Sequence, residues 1–121
     1  MAVRGIRGAI QVDRDEEIVL LDATERLLRA IMTENGIAPD DIASALFTLT
    51  PDLRAQFPAV AARRMGWTLV PMLNFTEIGV PGGLPRTIRV MIHVNTEKRQ
   101  DEIVHVYLDG ARVLRPDLAP Q

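Results

Sequence analysis

Cysteine is absent from the 121 residues. That excludes a disulfide framework, a thiolate metal site and a cysteine nucleophile. Aromatic residues are scarce. One Trp, one Tyr and three Phe are too few for a platform on which bases stack. A basic excess is missing as well: the net charge of −2 argues against a general nucleic-acid or membrane binder. No apolar run approaches the length needed to span a membrane. The first residues, Met1-Ala-Val-Arg-Gly5, lack the apolar stretch of a secretory signal, so a cytoplasmic location is expected. Two histidines, His93 and His105, cannot form a zinc site alone, and each falls at a strand position where a structural role is expected. No nucleophile elbow, phosphate loop or dinucleotide fingerprint occurs. Gly82-Gly83 lacks the spacing and the lysine needed to cradle phosphate and reads as a turn.

What is present is an ordinary globular composition, 47% hydrophobic and 25% charged, in a chain of one-domain length. Residues 1–121 read as a single domain with 116–121 as a mobile tail. Residues 2–10 suit a strand, in which Gly5 and Gly8 suggest a bulge or a close approach. Asp13 with Glu16 resembles a capping box, and residues 14–34 read as a helix with Ile18, Leu21, Leu28 and Met32 in its apolar stripe. Asp15, Glu16 and Glu17 then fall in the first turn, where the helix dipole favours them, and Asn35-Gly36 stops the helix. Pro39-Asp40-Asp41 starts a short turn. Further strands are predicted at 43–50, 67–73 (interrupted by Pro71), 86–95, 103–108 and 111–115, with a short helix from Pro58 to about Met65. The class is therefore α+β or mixed α/β. It has about five strands, one long helix and one or two short ones, in a sheet that is antiparallel or mixed.

Arginines stand inside the two most strand-like runs. Arg4 and Arg7 lie in Val3-Arg-Gly-Ile-Arg-Gly-Ala-Ile10, and Arg89 lies in Ile88-Arg-Val-Met-Ile-His-Val94. A permanent cation on a half-buried strand is costly unless an anion meets it, and neither run has an acid beside it. Residues two apart share a strand face. Ile88, Val90, Ile92 and Val94 therefore form the core side, with Arg89 opposite among Thr87, Met91 and His93. Arg7 shares a face with Val3, Gly5 and Ala9, while Arg4 points the other way. By pattern, Arg89 is either a solvent-facing strand arginine or a site for a carboxylate or phosphate. Glu77, near Asn74 and Thr76, is either a salt-bridge partner or a reader of a ligand hydroxyl. Tyr107 is either a hydrogen-bonded core edge or a donor into a site. Arg14, Arg26, Arg29, Arg54 and Arg99 read as solvated surface charges.

An ordered set of short motifs carries more. Arg4-Gly-Ile-Arg-Gly-Ala9, Thr50-Pro-Asp-Leu53, Phe57-Pro-Ala59 with Arg63, Gly66-Trp67 followed by Val70-Pro71, Glu77, Gly82-Gly83-Leu84, Ile88-Arg-Val-Met91, His105-Val-Tyr-Leu108 and Val113-Leu-Arg-Pro-Asp-Leu118 together resemble the monofunctional AroH-type chorismate mutases. The resemblance runs from residue 3 to residue 118. It implies a homotrimer with a barrel-like core of mixed sheet, helices outside, and active sites in clefts between subunits. It also implies the Claisen rearrangement of chorismate to prephenate, on the way to phenylalanine and tyrosine, without cofactor or metal. Carried over position by position, Arg7 and Tyr107 match residues that hold substrate carboxylate. Arg89 matches the arginine beside the breaking ether oxygen, and Glu77 the carboxylate that meets the ring hydroxyl. Leu73 and Asn74 match positions whose backbone frames the ring. Phe57, Ala59, Arg63, Leu114 and Arg115 match wall or rim positions. Two departures stand out: Val60 replaces a lysine of some relatives, and Asn74 replaces a cysteine.

Two other classes fit less of the chain. A RidA-type trimeric enamine/imine deaminase shares the architecture and a carboxylate-binding arginine. A non-catalytic module binding a carboxylate metabolite needs only the arginines.

Overall fold

The computed structural model describes residues 1–114. The expected mobile tail and Arg115 lie outside them. Five strands form one mixed sheet: β1 (Ala2–Gln11), β2 (Ile42–Leu49), β3 (Met72–Thr76), β4 (Thr87–Thr96) and β5 (Val106–Leu108). Their order across the sheet is β3-β2-β4-β1-β5. The central pairs β1–β4 and β2–β4 are antiparallel, while the outer pairs β2–β3 and β1–β5 are parallel. The sheet of one chain is thus open, with β3 and β5 as edges. Among the described residues no helix is long and apolar enough to cross a membrane.

One face of this sheet is covered by α1 (Glu17–Asn35) and α2 (Ala59–Arg64). Leu20, Leu27, Leu28 and Ile31 of α1 are fully buried against Ile6, Ile10, Ile88, Ile92 and Phe47. Their helical spacing meets the two-residue period of the strands, which is why this face excludes water. Gly8 lies directly beneath α1. A Cβ there would stand 2.6 Å from Ile31 Cδ1 and 3.1 Å from Leu27 Cδ1. The glycine therefore marks a close approach. The β1–β4 register runs unbroken from Ala2 to Gln11, so β1 has no bulge. The irregularity sits in β2, between Ile42 and Ser44.

Several boundaries depart from the sequence reading, each for a tertiary reason. The long helix starts at Glu17, not 14, and Glu16 precedes it without a side-chain cap. Asp15 is engaged elsewhere: its carboxylate accepts the backbone N–H groups of Arg54 and Ala55 at 2.9 Å each. Ile18 is 75% exposed and lies outside the apolar stripe, which buries Leu20, Leu21, Leu27, Leu28 and Ile31 together with Ala23 and Thr24. Residues 67–71 are not strand. Trp67 is buried and its backbone N–H donates to Ala62 O at 3.1 Å, so β3 begins only after Pro71. The strand expected over 103–108 shrinks to Val106–Leu108. Val104 gives its N–H to Asn35 Oδ1 and its carbonyl to Asn35 Nδ2, both at 2.8 Å, and so leaves the ladder. The strand expected at 111–115 is a 3-10 helix, Asp109–Leu114. It begins with Asp109 at φ 54, whose carboxylate is gripped by both terminal nitrogens of Arg26.

Candidate active site

The uncovered sheet face carries the residues singled out above. Strand pairing places Ala9 opposite both Arg89 and Tyr107, Thr48 opposite both Arg89 and Phe75, and Met91 opposite Arg7 and Leu46. By alternation all of these side chains belong to the face away from the helices. A cleft of about 210 Å³ opens there, lined by Arg7, Thr48, Phe75, Glu77, Arg89 and Tyr107. Four side chains with candidate chemistry thus converge from four different strands or their ends.

Glu77 follows β3 directly. Its N–H donates to Leu49 O at 2.7 Å, extending the parallel ladder by one step. Its Oε1 accepts the Thr48 hydroxyl at 2.8 Å and lies 3.3 Å from Arg89 Nε. Arg89 therefore does have an acidic neighbour, contrary to what its flanking sequence shows. The acid arrives because β3 and β4 both pair with β2. The contact is an ion pair without hydrogen-bond geometry: Arg89 Nε is buried and donates to no group among the described residues.

Three buried side-chain polar atoms lack a partner among the described residues: Trp67 Nε1, Arg89 Nε and the Tyr107 hydroxyl. Two of the three line this one cleft. Buried donors are nearly always satisfied, so a pair of orphans in one cleft marks a place where a ligand acceptor belongs. Tyr107 is otherwise enclosed, in a small apolar cluster with Ala9, Ala111, Leu84 and Leu114. The 3-10 helix that replaced the expected last strand is what brings Leu114 beside it. Arg7 is held through its backbone, whose N–H donates to His105 Nδ1 at 3.0 Å. His105 thus serves the chain path between β1 and β5, and His93 Nδ1 faces Ser44 Oγ at 3.0 Å. Arg4, on the helix side, donates through Nε to Lys98 O.

The remaining candidates lie elsewhere on the chain. Phe57 and Asn74 line a separate opening of about 440 Å³ beside Phe75 and Thr76. Asn74 Oδ1 accepts the N–H of Ala59 at 3.2 Å, so its side chain is turned toward the start of α2. Ala59 is buried, while Arg63 and Leu73 are exposed. None of these five lines the cleft of Arg7, Glu77, Arg89 and Tyr107.

A third opening, about 460 Å³, adjoins the cleft and shares Glu77 and Arg89 with it. It runs under the loop 78–85. The base of that loop is tied by Asp52, whose carboxylate accepts the Thr50 hydroxyl at 2.6 Å and the Arg86 N–H at 3.0 Å. Chiefly the Thr50 hydroxyl, against an opposing effect of burial and with help from the Arg86 N–H, holds the Asp52 carboxyl below the ordinary carboxylate value. Arg86 itself sits at φ 48, a left-handed conformation kept by these bonds and by its Nε, which donates to Val12 O.

Sequence reasoning did not single out Thr48 or Phe75. Phe75 fell beyond the strand expected to end at 73, and only the register of β2 with β4 and β3 shows that Thr48 and Phe75 border the arginine. The chain as a whole is similar to known proteins. The family model for chorismate mutase type I matches residues 3–118, and the chain belongs to that family. It is 49% identical over 120 residues to chorismate mutase AroH of Bacillus subtilis (strain 168), covering 98% of this chain and 94% of that one. It is also 49% identical over 117 residues to chorismate mutase AroH of Thermus thermophilus, covering 96% of each. A solved structure, a chorismate mutase from Clostridium thermocellum, superposes with a TM-score of 0.89 at 49% identity, covering 90% of this chain and 97% of that one.

Proposed function

We propose that this chain rearranges chorismate to prephenate, an intramolecular isomerisation in the synthesis of phenylalanine and tyrosine, in the cytoplasm. The observation that carries the reading is the pair of orphaned buried donors, Arg89 Nε and the Tyr107 hydroxyl, beside Arg7 and Glu77 in one cleft. A pericyclic reaction needs no nucleophile, general base or metal. It needs the enolpyruvyl arm held over the ring and the uneven charge of the transition state stabilised.

The C–O bond breaks ahead of C–C bond formation, so negative charge grows on the ether oxygen and positive charge on the ring. Arg7 and Tyr107 are the anchors for a carboxylate that the substrate already carries. Arg89 also meets the charge that appears only in the transition state, and Glu77 accepts the ring hydroxyl. A fixed donor aimed at developing charge contributes about 2.7–4 kcal/mol in comparable sites. Restricting the arm to a reactive geometry adds to this.

The functional assembly is a homotrimer with its sites between subunits. Two features support it. The cleft of a single chain, about 210 Å³, falls below the roughly 300–1,000 Å³ of a small-molecule site. Also, the wall candidates Phe57, Ala59, Arg63, Leu73 and Asn74 stand apart from the arginine cleft, so a neighbouring copy would bring its own set to it. Leu73 and Phe75 are 58% and 47% exposed on the uncovered face, apolar area that such a neighbour would bury. Leu114, packed beside Tyr107, is the rim residue among those described. Mixing the purified protein with chorismate and following loss of its diene absorbance tests the reading. Acceleration over buffer is expected, and an unchanged rate overturns it.

A further inference from the structure

Arg89 and Glu77 present an unusual pair. A carboxylate oxygen lies 3.3 Å from a buried guanidinium nitrogen, yet that nitrogen makes no hydrogen bond among the described residues. Left to themselves, two such groups close into a directed charge-assisted bond. What stands in the way is visible on β2. The Thr48 hydroxyl donates to the same oxygen, Glu77 Oε1, at 2.8 Å. Thr48 is in register with Arg89 on one side and with Phe75 on the other, so it sits between the two charged residues on the same sheet face. Its hydroxyl is an O–H donor with a short reach, and the backbone bond from Glu77 N to Leu49 O fixes the origin of the carboxylate arm.

We infer that Thr48 is a positioning residue: by holding Glu77 Oε1 it keeps Glu77 from closing onto Arg89, and so leaves the Nε–H of Arg89 free for the reacting ligand. The inference rests on the chorismate reading above. It gives each charged group a separate task. Without the hydroxyl, the carboxylate would turn the existing ion pair into a directed bond and occupy the Arg89 Nε–H before substrate arrives. Arg7 and Tyr107 would be untouched, so ground-state binding would survive while the transition-state interaction would be lost.

The test is steady-state kinetics on chorismate with the full-length wild type, Thr48→Val and Thr48→Ser. Valine keeps the shape and the strand preference and replaces the hydroxyl with a methyl group. It is expected to lower kcat about 10- to 100-fold with KM changed less than about twofold, as for loss of a hydrogen bond to a charged group. Serine restores the donor and is expected to return kcat to within about threefold of wild type. Thr48→Ala, which removes the hydroxyl without adding a methyl group, should repeat the loss. Wild-type kcat in Thr48→Val overturns the inference. So does a fall in kcat accompanied by a lowered melting temperature and not rescued by serine, which would make Thr48 merely structural. A wild-type chain that does not accelerate chorismate loss is a different outcome: it overturns the parent reading, and this inference with it.

Discussion

Replacing Tyr107 with phenylalanine removes one oxygen atom that the folded chain encloses without using. The residue is 1% exposed, and its hydroxyl has no partner among the described residues. Burying an unpaired polar group costs about 1–3 kcal/mol, and deleting it from an otherwise apolar cluster of Ala9, Ala111, Leu84 and Leu114 relieves part of that cost. A gain of about 1 kcal/mol raises the melting midpoint by about 3–6 °C in a chain of this length. The same oxygen is proposed to donate to a substrate carboxylate, a bond to a charged group that contributes about 1.5–3 kcal/mol. Its loss raises KM by about 10- to 150-fold. Tyr107→Phe should therefore be a more stable protein that binds its substrate worse. Thermal or urea unfolding at one protein concentration gives the first quantity, and initial rates of chorismate loss give the second. A variant that is less stable than wild type and has an unchanged KM would refute the reasoning, because the hydroxyl would then have been serving the fold.

Gly8→Ala should destabilise the chain by about 1–3 kcal/mol, read by urea unfolding, because its Cβ would press on the fully buried Ile31 and Leu27. Asp52→Ala should cost about 1 kcal/mol at neutral pH by loosening the Thr50 and Arg86 bonds. The Asp52 carboxyl titrates below its ordinary 3.8 in the folded chain, so its contribution is present above that value and fades as pH falls through the lower native one. Unfolding curves of wild type and Asp52→Ala should thus be separated at pH 7 and draw together at strongly acidic pH. If the chain assembles as the proposed trimer, Leu73→Asp, a charge on the exposed apolar face beside Phe75, should weaken it by about 2 kcal/mol per interface and shift the native mass toward one chain. A chain that remains three-membered would remove Leu73 from the interface.

Local pattern carried β1, β2, α2 and β4, because each follows a single period and all but β4 end within two residues of Gly, Pro or Asp. It failed where one side chain reaches across the fold. The backbone of Val104 looks strand-competent until Asn35 takes both its polar groups. Asp15 looks like a helix-start acid until the 54–55 backbone claims it. The three hydrophobic residues of 67–70 cannot form a strand once Trp67 is turned into the core behind α2. The site follows the same logic. Alternation placed Arg89 and Arg7 on the correct side of their strands, since a two-residue period is visible in sequence. Glu77 was readable as a possible salt-bridge partner, but its placement beside Arg89 and the hydroxyl that holds it depend on β3 and β4 flanking β2. Ordered family motifs named Glu77 without showing what restrains it.

The central claim is that Arg89 meets charge arising only in the transition state. It is tested most directly by the kcat of Arg89→Ala and Arg89→Lys on chorismate beside wild type. A fall of about 100- to 1,000-fold is predicted for alanine. Lysine should not restore the rate, because a point charge cannot replace the planar fork. Near wild-type kcat in Arg89→Ala would contradict the claim.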